Sequence, residues 1–232
     1  MVEHEHEQVN EHAYDYVDVD VDGLRWSRSP GRRAPAALIE SGSVTADVQP
    51  DPMTSAEPGA PVLSVVMPAY NEEATVLATI ARVLSVPLEL ELIVVDDGSV
   101  DRTRALLDEH YRQHPRVRVI FQPFNQGKGA ACRTGFAHAR GRYVVIQDAD
   151  AEYDPNELPK LLEPLLDDRA DVVFGSRYLH AAPALRRSWH TRANGVFTTM
   201  SNAVTPMKFT DVHTCYKLVR RDILLGLELR EP

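Results

Sequence analysis

The sequence predicts an α/β fold built on a mostly parallel sheet with helices on both faces. Three observations carry this. Short, predominantly apolar runs recur at 63–67, 90–95, 117–121, 143–147 and 171–174. Such runs are what strands buried on both faces look like. Between them lie stretches with apolar residues three and four positions apart, the helical period. Strand and helix therefore alternate, the signature of βαβ units, whose right-handed crossovers bring the carboxyl ends of parallel strands to one edge.

The elements follow in order. The run at 63–67 ends at Pro68, and Asn71 is placed to cap a helix over 72–84 with Val76, Ile80 and Val83 on one face. After the strand at 90–95, Ser99 is placed to cap a helix over 101–114 that turns Leu106 and Leu107 inward. The third strand, 117–121, leads through Gly127 and Gly129 to a helix over 130–139. A fourth strand at 143–147 precedes a helix reaching 166, with Pro155 near its first turn. The fifth strand is 171–174. Beyond it the pattern loosens into a helix over 187–204 and a strand over 215–219.

Composition bounds the rest. The chain has 232 residues, 44% hydrophobic and 25% charged, ordinary globular usage that excludes a wholly disordered chain, a collagen or a coiled coil. No run reaches the ~18 apolar residues of a spanning helix. The first charge-free apolar stretch, 62–70, is too short and too internal for a signal peptide. The net charge of −9 is uneven. Residues 1–60 hold 12 acids and 4 arginines, whereas residues 61–232 hold 22 acids and 21 bases. The first stretch, acidic and then rich in Ser, Pro, Gly and Ala, is expected to be an unfolded tail preceding a domain at 61–232. Residues 177–232 form a local basic region, with 9 Lys/Arg against 4 acids. Two cysteines, Cys132 and Cys215, without CxxC spacing, fit a reduced cytosolic chain better than a disulfide or zinc scaffold.

Open parallel sheets bind ligands beyond the carboxyl ends of their strands. Those ends read Pro68-Ala69-Tyr70-Asn71-Glu72, Asp96-Asp97-Gly98-Ser99, Asn125-Gln126-Gly127-Lys128-Gly129, Asp148-Ala149-Asp150 and Gly175-Ser176-Arg177. Asp148 and Asp150 converge at the end of a buried strand and would repel without a cation between them. Their hard oxygen donors suit Mg²⁺ or Mn²⁺ bridging to phosphates, with Glu152 two residues on. A bland reading makes them a strand-to-loop pair. A turn and helix cap explains Gly98 and Ser99 but not two adjacent acids, and a carboxylate there suits a base N–H or ribose hydroxyls. GxxxxGK[ST] and GxGxxG are absent, which disfavours an ATPase or a dinucleotide enzyme. Lys128 has two readings, a phosphate contact or a plain loop lysine.

The segments PAYNE at 68–72, DDGSVDRT at 96–103, NQGKGAA at 125–131, DADAEYDP at 148–155 and GSR at 175–177 resemble family-2 glycosyltransferases of the GT-A fold. TDVHTCYK at 210–217 is similar to the branch that makes polyprenyl-phosphate and dolichyl-phosphate sugars. The resemblance covers residues 62–226. It implies that Pro68, Tyr70, Glu72 and Asp97 line the base and ribose of a nucleotide-sugar. Asp148 and Asp150 become the metal motif with Ala149 against the nucleotide, and Glu152 falls where relatives have a metal ligand. Arg177 meets the diphosphate or acceptor phosphate, and Asp211 falls at a catalytic or acceptor-side aspartate.

The implied reaction is inverting transfer of a hexose, from a UDP-glucose or GDP-mannose type of donor, to a polyprenyl phosphate. A phosphate acceptor is already anionic near pH 7, so Asp211 need not be a strong base. The basic stretch with Arg186, Arg187 and Arg192 suits an anionic lipid. The expected place is the cytoplasmic face of a membrane, peripherally, with no nucleic-acid partner. Two other readings stand: transfer to a soluble or cell-wall hydroxyl, and a truncated, non-catalytic nucleotide-binding module, since the family pattern continues past the equivalent of Arg230.

Overall fold

A computed structural model describes residues 14–20, 25–27, 60–150, 153–175, 189–204, 211 and 214–227, with side chains from residue 60 on and, in the 189–204 helix, from 195. In chain order its elements are β1 (Tyr14–Asp20), β2 (Arg25–Ser27), β3 (Leu63–Ala69), α1 (Val76–Ser85), β4 (Leu90–Asp96), α2 (Thr103–Tyr111) and β5 (Val117–Phe121). Then come α3 (Lys128–His138), β6 (Tyr143–Ile146), a 3₁₀ turn (Pro155–Glu157), α4 (Leu158–Leu166), β7 (Val172–Gly175), α5 (Trp189–Val204), β8 (Lys217–Arg220) and α6 (Arg221–Gly226).

The strands form one sheet in the order β2-β1-β7-β8-β6-β3-β4-β5. β3 pairs in parallel with β4 and β6, and β4 with β5. The mostly parallel sheet of the sequence reading is therefore present. β8 lies between β6 and β7 and runs antiparallel to both. An apolar run marks a strand but not its direction, so the reversal was not legible. The order of neighbours swings from β4 to β6 on either side of β3, which makes the carboxyl edge there a switch point for ligand binding.

Within the span expected to be an unfolded tail, Tyr14–Asp20 and Arg25–Ser27 are strands. Tyr14 to Val17 pair antiparallel with Gly175 to Val172. The sequence alternates apolar and acidic residues through Val17-Asp18-Val19-Asp20, a period-two pattern that bulk composition averages away. The remainder of that span lies outside the described residues.

The sheet sorts its side chains by alternation. Leu63, Val65 and Met67 face one cluster with Val76, Ile80 and Val83 of α1 and Leu158, Leu161, Leu162 and Leu165 of α4. Val66, Ile93 and Val95 face the other, with Ala131, Cys132 and Phe136 of α3. Gly135 lets α3 approach closely: a Cβ there would lie 2.3 Å from Val66 Cγ1. Gly135→Ala should cost ~1–3 kcal/mol through overpacking, read as a lower urea midpoint with unchanged slope.

One ion pair braces the amino ends of the strands. Glu91 on β4 accepts from Ser64 Oγ (2.7 Å), Arg140 N (2.7 Å) and Arg140 Nε (2.9 Å). Burial works to raise its pKa, but these bonds and the arginine's charge outweigh burial and hold it below the ordinary glutamate value. Its contribution is therefore present above the unfolded-state pKa of ~4.3 and is lost as pH falls through the depressed folded value. Glu91→Ala should cost ~2–4 kcal/mol at pH 7. The gap from wild type in urea unfolding should narrow at pH 3.

Candidate active site

The cleft lies at the carboxyl edge of β3, β4 and β6 and has a volume of about 280 Å³. β3 and its following loop contribute Pro68, Ala69, Tyr70 and Glu72, and the loop after β4 contributes Asp97. Asn125, Gly127, Lys128 and Ala131 come from the entry to α3, and Asp148, Ala149 and Asp150 from the end of β6. Eight residues singled out from sequence thus meet in one cavity: Pro68, Tyr70, Glu72, Asp97, Lys128, Asp148, Ala149 and Asp150. Glu152 and Arg177 lie outside the described residues.

The first two loops are stitched together. Asn71 N donates to Ser99 Oγ at 3.0 Å, and Val100 N to Asn71 Oδ1 at 2.9 Å. Glu72 N donates to Thr103 Oγ1, Glu73 N to Asp101 Oδ2, and Arg102 N to Glu73 Oε2. This corrects two expected caps. Asn71 sits at φ 56°, a left-handed conformation that asparagine tolerates, and bonds across to the neighbouring loop. α1 begins instead at Val76, after a turn closed by Thr75 N and Val76 N on Glu72 O. Ser99 likewise serves Asn71, and it is Asp101 Oδ1 that takes the Thr103 amide at the start of α2.

Asp97 is buried and clamps the third loop. Its Oδ1 accepts from Gln126 N (2.8 Å) and its Oδ2 from Gly127 N (2.9 Å). Gly98 explains itself nearby: at φ +71° its ideal Cβ would lie 2.5 Å from the Phe124 carbonyl carbon. Asp96, the other half of the pair, is fully buried outside the cleft lining, with Arg104 Nε 3.6 Å away.

The Asp-Ala-Asp triplet is held from beneath. Thr79 on α1 donates to Ala149 O (3.0 Å) and, at 3.3 Å, to Asp150 O. Gln147 Nε2 donates to Asp148 O, and Tyr216 Oη donates to Gln147 Oε1. Tyr153 Oη accepts from Cys215 N and its ring packs, tilted, against Tyr216 with centroids 4.9 Å apart. Sequence reading missed Thr79, Gln147, Tyr153 and Tyr216 as supports. The available signal was a threonine on the apolar face of α1, three and four residues from Val76 and Val83 and next to Ile80.

Lys128 Nζ lies 2.5 Å from Asp148 Oδ1. Burial works to lower the lysine's pKa, but the hydrogen bond and charge of Asp148 outweigh it and leave the pKa above the ordinary value. Asp211 is fully buried and does not line the cleft. Lys217, on β8, feels the charges of Cys215, Asp211, Lys128 and Asp148; burial dominates and lowers its pKa. Burial likewise pushes the thiol of Cys132 up to about 11 and that of Cys215 up to about 12, so neither is a nucleophile near neutral pH.

Among the described residues no three His, Cys, Asp or Glu side chains cluster as a closed metal site. Two carboxylates, Asp148 and Asp150, share the cleft, and Asp148 already draws a cationic group. Two hard oxygen donors open to a phosphate fit Mg²⁺ or Mn²⁺, which keep water and substrate oxygens as their other ligands.

The family model described as glycosyl transferase family 2 matches residues 64–226, and the chain belongs to that family. It is 33% identical over 170 residues to polyprenol monophosphomannose synthase of Mycolicibacterium smegmatis, covering 71% of this chain and 64% of that one. It is 30% identical to undecaprenyl-phosphate mannosyltransferase of Micrococcus luteus, covering 71% and 68%. The chain thus spans about two thirds of the length of these relatives, and 48% of a dolichol-phosphate mannosyltransferase of Pyrococcus furiosus. Among solved structures it is similar to glucosyl-3-phosphoglycerate synthase of Mycobacterium tuberculosis in complex with Mn²⁺, uridine diphosphate and glucosyl-3-phosphoglycerate. That likeness has TM-score 0.55 and 26% identity, over 75% of this chain and 62% of that one. The fold is the GT-A fold that the sequence motifs imply.

Proposed function

We propose that the domain at 61–232, with residues 1–60 as an appended segment, transfers a hexose from a nucleotide-sugar to a polyprenyl or dolichyl phosphate with inversion. The observation that carries this is the meeting of Pro68, Tyr70, Glu72, Asp97, Lys128 and the Asp-Ala-Asp triplet in one cleft at the sheet's switch point. The names of the mannosyl-transferring relatives support the lipid-phosphate acceptor and favour mannose.

In this reading Pro68, Tyr70, Glu72 and Asp97 line the base and ribose. Asp97 does so with the lone pairs left after it clamps the loop. Asp148, Asp150 and Glu152 hold the divalent cation, and Ala149 lies against the nucleotide. When bound there, Mg²⁺ or Mn²⁺ supplies Lewis-acid stabilisation to the leaving diphosphate. Lys128 and Arg177 add charge-assisted hydrogen bonds to the phosphates. One acceptor phosphate oxygen forms a bond to the anomeric carbon as the bond to the diphosphate oxygen breaks, and the electron pair leaves with the nucleoside diphosphate. Thr79 and Gln147 fix the triplet's backbone beforehand, so it need not reorganise during transfer.

The place of action is the cytoplasmic face of a membrane. No helix among the described residues is long and apolar enough to cross one. α5 exposes Val196, Phe197, Met200 and Val204, and the local basic region surrounds it in sequence. Such a combination suits an anionic lipid surface.

The test is a transfer assay with Mn²⁺ and a panel of UDP- and GDP-sugars, with and without a C55 polyprenyl phosphate. A hexosyl lipid, formed only with metal present and abolished by chelation, is the expected result. Transfer to 3-phosphoglycerate or a sugar hydroxyl instead would replace the acceptor assignment. Nucleotide binding without any transfer would make the domain a non-catalytic module.

A further inference from the structure

We propose that Lys128 is a built-in counter-ion for the metal site: its ammonium occupies Asp148 until the divalent cation takes that carboxylate, and is then released to the donor phosphates. The proposal rests on the metal-dependent donor site inferred above and adds an exchange step to it.

The geometry is unusual for a lysine. Lys128 is the first residue of α3, where the helix dipole and the orphan amides already present positive charge. A cation there is disfavoured, and the first turn contains no acid to offset it. Two carboxylates from the loops after β4 and β6 face this helix start. Asp97 accepts backbone amides from Gln126 and Gly127, and Asp148 accepts the Lys128 ammonium at 2.5 Å. Gly127, at φ +92°, turns the chain from the clamped loop into the helix. Lys128 is therefore placed by a loop whose backbone is clamped by Asp97 in the cleft wall.

The pair is also placed where it must break. Asp148 is one of the two carboxylates that fit the cation, with its side chain 20% exposed. An ammonium at hydrogen-bond distance from that carboxylate repels an incoming divalent ion and occupies one of its oxygens. The lysine is 60% exposed and carried on a flexible four-carbon stem, so it can leave without disturbing the core. Diphosphate in the same cleft gives the released ammonium a new anionic partner. Metal and nucleotide each then remove a cost of binding the other, which is positive coupling between them.

The discriminating experiment measures Mn²⁺ affinity without nucleotide, by calorimetry and Mn²⁺ paramagnetic resonance. It then measures UDP and GDP affinity at saturating Mn²⁺. Wild type, Lys128→Met, Lys128→Gln, Lys128→Arg and Asp150→Asn are compared, with folding checked by circular dichroism. Loss of the competing cation should make Lys128→Met and Lys128→Gln bind Mn²⁺ alone about tenfold more tightly. The same variants should bind the nucleoside diphosphate about tenfold more weakly, whereas Lys128→Arg stays near wild type. This opposite movement of two affinities is not produced by a merely structural lysine. Mn²⁺ affinity that is unchanged or weaker in both neutral variants overturns the counter-ion. If Asp150→Asn still loses Mn²⁺ in that case, the metal site stands and the counter-ion alone falls. If Asp150→Asn binds Mn²⁺ as tightly as wild type, or if neither wild type nor the neutral Lys128 variants bind it, the metal site falls and takes this proposal with it.

Discussion

Asp150→Asn should lower Mn²⁺-dependent nucleotide affinity on the order of 100-fold, a loss of ~2.7 kcal/mol, and reduce hexose transfer at least as much. The substitution nearly keeps the shape of the side chain and removes one charge from a two-carboxylate site. Asp150 lines the cleft, and its carbonyl lies 3.3 Å from Thr79 Oγ1. That backbone bond does not depend on the carboxylate, so the fold and the thermal midpoint should hold. Calorimetric titration of UDP or GDP with and without Mn²⁺ checks this. Affinity that falls equally in both conditions would assign Asp150 to the nucleotide rather than to the ion.

The second large effect concerns Asp211. Asp211→Asn should leave donor affinity near wild type and lower turnover roughly 10–100-fold. Asp211 is fully buried, outside the cleft lining, and its charge reaches Lys217, which also feels Asp148 and Lys128. In the function proposed above, Asp211 acts on the acceptor side by positioning. A phosphate nucleophile, anionic near neutral pH, has no proton for it to remove. Steady-state kinetics separate the roles: a fall in kcat with unchanged donor KM supports positioning. Full specific activity with an earlier melting transition would make Asp211 a structural group.

How far the sequence could be read depended on whether the information was local. β3 to β7 were legible because buried parallel strands are continuous apolar runs, and their ends announced the site through the residues that follow them. The helix starts were misplaced for a physical reason. Asn71 and Ser99 have the chemistry of caps, but each found a partner about 28 residues away, and the stitching of two loops outcompeted the local bond. The direction of β8 and the pairing of β1 with β7 are tertiary facts that no run of residues carries. Lys128 was readable either as a phosphate contact or as a plain loop lysine. Its contact with Asp148 was not, because loop and strand end meet only after β3, β4 and β6 have assembled.

The measurement that bears most directly on the donor site is a crystal structure of the protein soaked with Mn²⁺ and UDP or GDP, with anomalous data collected at the manganese edge. An anomalous peak is expected beside the carboxylates of Asp148 and Asp150, with the base against Pro68, Tyr70 and Asp97 and the Lys128 ammonium on a phosphate oxygen instead of Asp148. A nucleotide bound elsewhere, or a manganese peak away from both aspartates, would contradict this assignment.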